Sequence, residues 1–297
     1  MNRSSFPCVP LAVPYWNRET YQRILRCLIS GCVTGGPQIE TLKLQIVETL
    51  GVTDALLCGS GSLALQLALR GCNVGSGDEV VLPTFCCTAV VPPVLALGAT
   101  PVLADVGDEL NLTSATIEAV LTRKTKAVIV PHLFGNPAEI VRIVDLVRGR
   151  DIRIIDDAAQ ALGATIDGEW VGSFGDAGVL SFGAEKVCFG LGGGVAVSRH
   201  NDVASKFSQT ELSPSVVVPA IKNLAATFFW RRLRRWTLPF NLASASPDAL
   251  PVAYPREAMS NLAAAVALSL VQTLRANISA RSARATQRAS TLRSPAA

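Results

Sequence analysis

Four short segments of this chain place reactive side chains beside the small residues that would let a ligand approach them. Gly59-Ser60-Gly61-Ser62 stands between an apolar run and a helical pattern. Glycine admits close backbone approach and the first N–H groups of a helix attract anions, so the segment suits a phosphate. A strand-to-helix turn built from Gly and Ser for steric reasons alone is the other reading. Asp156-Asp157-Ala158-Ala159-Gln160 follows an apolar strand pattern. Adjacent carboxylates at a strand end are costly to bury unless a cation or metal faces them; otherwise one of them is a helix cap. Ser181-Phe182-Gly183-Ala184-Glu185-Lys186 carries a lysine out of a strand into a glycine-flanked loop. Such a lysine is either an amine nucleophile or an ordinary solvated charge. Gly190-Leu191-Gly192-Gly193-Gly194 reads as a flexible return into the sheet. It lacks the Gly-x-Gly-x-x-Gly spacing, and no Gly-Lys-Ser/Thr phosphate loop occurs in the chain.

The elements that must position these segments follow from periodicity. Ile39, Leu42, Ile46, Val47 and Leu50 recur at helical spacing over 38–50, closed by Gly51. An alternation then begins, with strands expected at 55–58, 79–82, 101–105, 127–130 and 152–156 and helices at 62–69, 87–97, 113–121 and 137–148. Two more apolar runs follow at 178–182 and 194–198. Short apolar strands between amphipathic helices give an α/β fold with a mixed, mostly parallel sheet flanked by helices. In open sheets of that kind ligands sit beyond the carboxyl ends of the strands, where all four segments fall. After His200 the pattern changes. The basic aromatic stretch 228–236, stopped by Pro239, is either a membrane-surface helix or, the preferred reading, an arginine-rich helix with its aromatic face on the core. Residues 245–255 read as a linker and 259–274 as an apolar helix, and the polar Ser/Arg/Ala tail is expected to fray.

Composition narrows the class. The chain has 297 residues, 49% hydrophobic and 17% charged, which suits a globular protein and excludes disordered, collagen-like and coiled-coil classes. Its two histidines, His132 and His200, argue against a polyhistidine metal site. The net charge of +4 divides into −5 over 1–198 and +9 over 199–297, but the basic residues are scattered and nucleic acid is not expected as a partner. The eight cysteines form no Cys-x-x-Cys unit and several lie in apolar runs, as small buried hydrophobes do. Neither a secretory signal nor a membrane span is legible, since prolines 83, 92, 93 and 101 interrupt the most apolar stretch. A reduced, cytoplasmic setting is expected.

Together the four segments ask for one ligand with a phosphate, a protonatable ring nitrogen and a carbonyl that meets a lysine. Pyridoxal phosphate has these three groups. Their order also resembles a known family. Val9-Pro10-Leu11, Thr34-Gly35-Gly36-Pro37, Gly75-Ser76-Gly77-Asp78-Glu79-Val80, Gly98-Ala99-Thr100-Pro101-Val102, His132-Leu133-Phe134-Gly135, Asp157-Ala158-Ala159-Gln160 and Gly172-Ser173-Phe174-Gly175-Asp176 precede the lysine segment. In this the chain resembles the DegT/DnrJ/StrS-type sugar aminotransferases, pyridoxal-phosphate enzymes of fold type I. The likeness is near continuous to about Asn201, with an echo at Met259-Ser260-Asn261-Leu262.

The resemblance implies a cofactor-binding large domain over 1–200 and a partial, mostly helical C-terminal region over 201–297. It makes Lys186 the Schiff-base lysine and the base that shuttles the substrate's alpha proton. Asp157 pairs with the pyridine nitrogen, Gln160 lies against the ring, and Gly61, Ser62 and Ser181 hold the phosphate. The implied activity moves an amino group from an amino acid, glutamate being expected, to a nucleotide-linked keto-sugar in polysaccharide biosynthesis, by a homodimer. Three departures stand out. Cys87 occupies the position where the family places an aromatic ring on the cofactor, leaving stacking absent or supplied by Phe85. No asparagine occurs in Tyr254-Pro255-Arg256-Glu257-Ala258, where the family has one that reaches the neighbouring subunit's phosphate, and Arg256 is the substitute cation. The family also continues well past the helix at 262–274, so that helix is expected to be partly uncovered. A catalytically impaired homologue with a binding role is the alternative function. Asp156 receives no role.

Overall fold

The computed structural model describes residues 16–183, 186–232 and 254–293. The helices α1 (Arg18–Ser30) and α2 (Pro37–Leu50) lead into an alternation of β1 (Asp54–Cys58), α3 (Gly61–Gly71), β2 (Glu79–Pro83), α4 (Val91–Leu95), β3 (Thr100–Ala104), α5 (Ser114–Glu118), β4 (Thr125–Pro131), α6 (Ile140–Val147) and β5 (Arg153–Asp157). A two-stranded hairpin, β6 (Thr165–Ile166) and β7 (Glu169–Trp170), precedes β8 (Ala177–Ser181) and β9 (Gly194–Ser198). Helices α7 (Asn201–Ser208), α8 (Val218–Arg232), α9 (Asn261–Gln272) and α10 (Leu274–Arg293) follow. The seven long strands form one sheet in the order β1-β9-β8-β5-β4-β2-β3. β9 alone runs against its neighbours. The expected mixed, mostly parallel sheet is present.

Every residue of β8 and β9 is buried, which is why these strands read as continuous apolar runs. Alternation along the strands divides the core. Leu56, Ala127, Ile129 and Ala196 pack with Leu63, Leu67 and Phe207 of α3 and α7 on one face. On the other, Val128 and Val130 pack with Ile140 and Ile143 of α6, while Ala55, Leu57 and Val195 meet α2 and α9.

Two expectations about the C-terminal third are corrected. The helix expected to be partly uncovered is enclosed, with residues 261 to 271 all buried. The sequence reading missed α1, whose Asn17 capping box starts it and whose Ile24 and Cys27 point inward. Together α1 and α2 hold α9: the Thr20 and Ser269 hydroxyls lie 2.9 Å apart, and Asn261 accepts the Gln38 N–H at 2.9 Å while donating to the Cys32 carbonyl at 2.6 Å. The tail expected to fray is the helix α10. Ala and Arg favour that conformation, and the Arg275 guanidinium sits 4.8 Å from the Trp170 ring centroid while Asn277 is buried.

The helix expected at 87–97 is only a 3-10 turn, Thr88–Val90, and the short α4, in which Pro92 falls in the first turn, where a missing N–H is tolerated. All seven described cysteines are unpaired, and Cys27, Cys58, Cys72 and Cys188 are buried as the composition suggested. No single helix among the described residues is long and apolar enough to cross a membrane. Residues 233–236 of the basic aromatic stretch, 245–253 of the linker, Val9-Pro10-Leu11 and Ala184-Glu185 lie outside the described residues.

Leu268 is fully buried in α9. Leu268→Ala is expected to cost about 2–5 kcal/mol through lost apolar transfer and a residual cavity. Urea unfolding checks this as a lower midpoint at unchanged slope; a loss under about 0.5 kcal/mol would be a surface-like response and would contradict the clamp.

Candidate active site

A cleft of about 170 Å3 opens at the carboxyl edge of the sheet, and its lining includes Gly61, Ser62, Asp157, Gln160, Ser181 and Lys186, the six residues singled out in the sequence. Cys87 and His132 line it as well. Because β9 alone is reversed, its first residue, Gly194, pairs with both Cys58 and Ser181, the last residues of β1 and β8. The loop into α3 and the end of β8 are thereby brought to one corner.

That corner is prepared for an anion. Ser60 caps α3, accepting the Leu63 N–H on its hydroxyl at 3.2 Å and the Ala64 N–H on its carbonyl at 3.0 Å. The N–H groups of Gly61 and Ser62 then have no intrahelical partner, and they stand at the positive end of the helix. A Cβ at Gly61 would lie 2.8 Å from Ser181 Oγ, so only glycine lets that hydroxyl stand against the helix start. A Cβ at Gly194 would lie 2.4 Å from the Ser60 carbonyl oxygen.

The two carboxylates at the end of β5 have different surroundings. Asp156 is fully buried, accepting the Phe174 N–H on Oδ2 at 2.9 Å and facing His132 Nε2 from Oδ1 at 2.6 Å. His132 Nδ1 accepts the Ala138 N–H at 2.9 Å, so the ring proton is on Nε2 and is donated to Asp156. This is the role the sequence did not supply for Asp156. The two residues are 24 apart, and only the pairing of Pro131 with Asp157 across β4 and β5 brings them together. Asp157 points into the cleft instead, with Oδ1 accepting the Ala159 N–H at 2.9 Å. Burial pushes its carboxyl above the usual range, against the pull of that N–H and of Lys186.

Lys186 is half-buried in the loop after β8, where its N–H bonds to the Gly183 carbonyl at 3.1 Å. Gln160 accepts the Phe134 N–H at 3.3 Å. Phe134 has a left-handed backbone (φ 56°), is exposed, and meets Phe85 with ring centroids 6.5 Å apart. The cleft wall is formed by Cys87, and Phe85, packed against Phe134, is not among the lining residues. Arg256 is also outside the lining: it is exposed, and its carbonyl accepts the Ser213 N–H at 2.8 Å. The next carbonyl, of Glu257, receives the Gly59 N–H at 2.8 Å, fixing the loop before α3. No group of three or more potential metal ligands occurs among the described residues. The cleft therefore offers an amine, a buried carboxylate and an anion corner within one enclosure.

Comparison with known proteins gives matches over most of the chain. Residues 14–296 match the DegT/DnrJ/EryC1/StrS aminotransferase family. A UDP-N-acetyl-3-dehydro-alpha-D-glucosamine 3-aminotransferase of Acidithiobacillus ferrooxidans is 43% identical over 173 residues, 58% of this chain and 47% of that protein. A GDP-perosamine synthase of Caulobacter vibrioides is 33% identical over 205 residues, 68% of this chain and 55% of that protein. The solved structure of an aminotransferase from Psychrobacter cryohalolentis superposes with a TM-score of 0.70 at 26% identity, covering 90% of this chain and 64% of the other. The chain thus spans about half the length of the curated relatives it matches.

The raised Asp157 carboxyl has a pH consequence. Between the ordinary Asp value, about 3.9, and the raised one, the folded state holds a proton the unfolded state has lost, so stability falls as pH climbs through that window. Asp157→Asn removes the effect. Its stability relative to the parent is expected to rise from about pH 4 towards neutrality in urea unfolding at a series of pH values. A difference that stays flat with pH would show that burial does not control this group.

Proposed function

This chain belongs to the DegT/DnrJ/EryC1/StrS aminotransferase family, and on that premise we propose that it is a pyridoxal-phosphate-dependent aminotransferase acting on a nucleotide-linked keto-sugar. The observation that carries the reading is the convergence of Lys186, Asp157 and the start of α3 on one cleft. The residues present fit the cofactor. A phosphate matches the corner that a Cβ at Gly61 would fill, a protonated ring nitrogen matches the buried Asp157, and an aldehyde matches the amine of Lys186.

When bound, pyridoxal phosphate supplies an electron sink for the bond broken at the amino-bearing carbon. The chain's own residues do the rest. The N–H groups of Gly61 and Ser62, with the Ser181 hydroxyl, hold the phosphate. Asp157 would keep a proton on the pyridine nitrogen, and pairing with that cation would offset the cost of burying the Asp157 carboxylate. Gln160, whose side-chain oxygen is held by the Phe134 N–H, would face the ring from the cleft wall. Lys186 Nζ anchors the cofactor and then carries the alpha proton of the substrate as general base and acid. With Cys87 rather than Phe85 lining the cleft, the ring would have no aromatic neighbour from this segment, which would weaken the grip on the cofactor and remove no bond-making group.

The nucleotide-linked acceptor is supported by the relatives named for UDP- and GDP-sugar chemistry. Glutamate as donor, a homodimer and a cytoplasmic setting complete the reading. The large domain that binds the cofactor is taken as 1–200, with 201–297 as a partial C-terminal region.

Borohydride reduction after incubation with pyridoxal phosphate, followed by peptide mass mapping, tests the proposal. A pyridoxyl mass is expected on the peptide containing Lys186 and is expected to vanish in Lys186→Ala. A folded protein with no such adduct would leave the family likeness as ancestry only and would favour the impaired homologue.

A further inference from the structure

The C-terminal end of α1 brings two thiols together, and the proposed reaction uses neither. The helix closes on Gly31, whose backbone is left-handed (φ 70°) and whose N–H bonds to the Leu28 carbonyl at 3.4 Å. An ending of this kind folds the residue after the glycine back over the last turn, against the side chain five positions before it. Here those residues are Cys32 and Cys27. Two side chains tie them at separate points. The Ser30 hydroxyl donates to the Cys27 carbonyl at 3.3 Å and accepts the Cys32 N–H at 3.4 Å. The Asn261 amide donates to the Cys27 sulfur at 3.5 Å and to the Cys32 carbonyl at 2.6 Å. Cys27 is buried and Cys32 is exposed. Burial pushes the Cys27 thiol up, and Cys32 beside it pushes the same way, against the pull of Arg23.

The other described cysteines are differently placed. Cys58, Cys72 and Cys188 are buried, and burial pushes each thiol up to about 12, as in inert structural cysteines. Cys86 and Cys87 are successive residues, whose Cα atoms stand about 3.8 Å apart, short of the roughly 4.4–6.8 Å that a disulfide usually spans. The segment that carries Cys32 also seats α9. The Val33 carbonyl accepts the Leu262 N–H at 3.1 Å, and the Thr34 carbonyl accepts the Asn261 N–H at 2.8 Å. A bond between Cys27 and Cys32 would therefore fasten one side of that seat to α1.

We propose that Cys27 and Cys32 form a reversible redox site, closing to a disulfide on reaction with a low-molecular-weight disulfide and fastening the segment that seats α9. The exposed Cys32 thiol gives up its proton, and its sulfur attacks one sulfur of the reagent, displacing a first reagent thiol. The Cys27 sulfur then loses its proton and attacks the Cys32 sulfur, displacing the second. Two protein thiols are oxidised and one reagent disulfide is reduced to two thiols. In a reducing compartment the pair is open, and it closes under oxidative load. Because folding brings the two residues together, closure and folding favour each other. The site is independent of the reaction in the cleft.

The full chain is incubated folded with oxidised glutathione, then alkylated with iodoacetamide in urea and digested with trypsin. Both thiols fall on one peptide, 27–43, because Arg26 and Lys43 bound it. That peptide is expected to be lighter by two hydrogens and free of alkyl groups, and dithiothreitol is expected to restore both thiols. Cys27→Ser is expected to keep glutathione on Cys32, and Cys32→Ser to form no cross-link. Cys32 is exposed, so Cys32→Ser carries the comparison if Cys27→Ser fails to fold. The oxidised parent is expected to unfold at a higher urea midpoint than the reduced parent, with no such shift in Cys32→Ser. A parent whose peptide takes up two alkyl groups, keeps glutathione on Cys32 or is linked to another peptide overturns the pairing. A midpoint that closure leaves unchanged or lowers overturns the fastening of the seat.

Discussion

Burying two consecutive carboxylates at the end of β5 is the constraint around which the site is organised. A strand sends successive side chains to opposite faces, so Asp156 and Asp157 cannot share one partner. The structure answers each separately. Asp156 is closed off by His132 and the Phe174 N–H, with both oxygens bonded. That leaves Asp157 as the carboxylate whose burial is only partly compensated, and it is the one facing the cleft. An imidazole oriented by the Ala138 N–H keeps the adjacent carboxylate occupied, so a ligand cation entering the cleft meets one acceptor of defined position.

The anion corner depends on a second constraint, close approach of backbones. β9 enters the sheet against its neighbours, and its first residue touches the loop that starts α3. Gly194 and Gly61 are glycines because side chains there would collide with Ser60 and Ser181 respectively. The glycine-rich run before β9, read in the sequence as a flexible loop, therefore has a packing reason at its last position.

The parts of this organisation that were legible in the sequence were the local ones. Strands buried on both faces declare themselves as apolar runs, and β9 was placed at its observed bounds, 194–198. All six singled-out residues line one cleft because each stands at a helix start, at a strand end or in the loop that follows one, where chain order already fixes the edge of the sheet. Illegible were the relations between distant segments. The bond from His132 to Asp156 spans 24 residues and arises from strand register. Helix α1 was overlooked because Ile24 and Cys27 are its only buried apolar residues, a narrow stripe among arginines. The partial exposure expected of α9 rested on the length of the family's chains, and it is α1 and α2, distant in sequence, that enclose the helix instead. In α10, Ser, Ala and Arg give little amphipathic signal, and its order comes from contacts such as Arg275 on Trp170 and buried Asn277.

The grip of α1 and α2 on α9 also bears on how the molecule is made. The two flanks of that contact are separated by more than two hundred residues: Gln38 bonds to Asn261 at a separation of 223, and Thr20 to Ser269 at 249. On the ribosome, synthesis runs at roughly 5–20 residues per second. The seat for α9 is therefore translated long before its occupant, and Leu42 and Ile46 wait uncovered on that side while the sheet is still being assembled. Long-range closure of this kind slows folding and leaves apolar surface exposed in the interval.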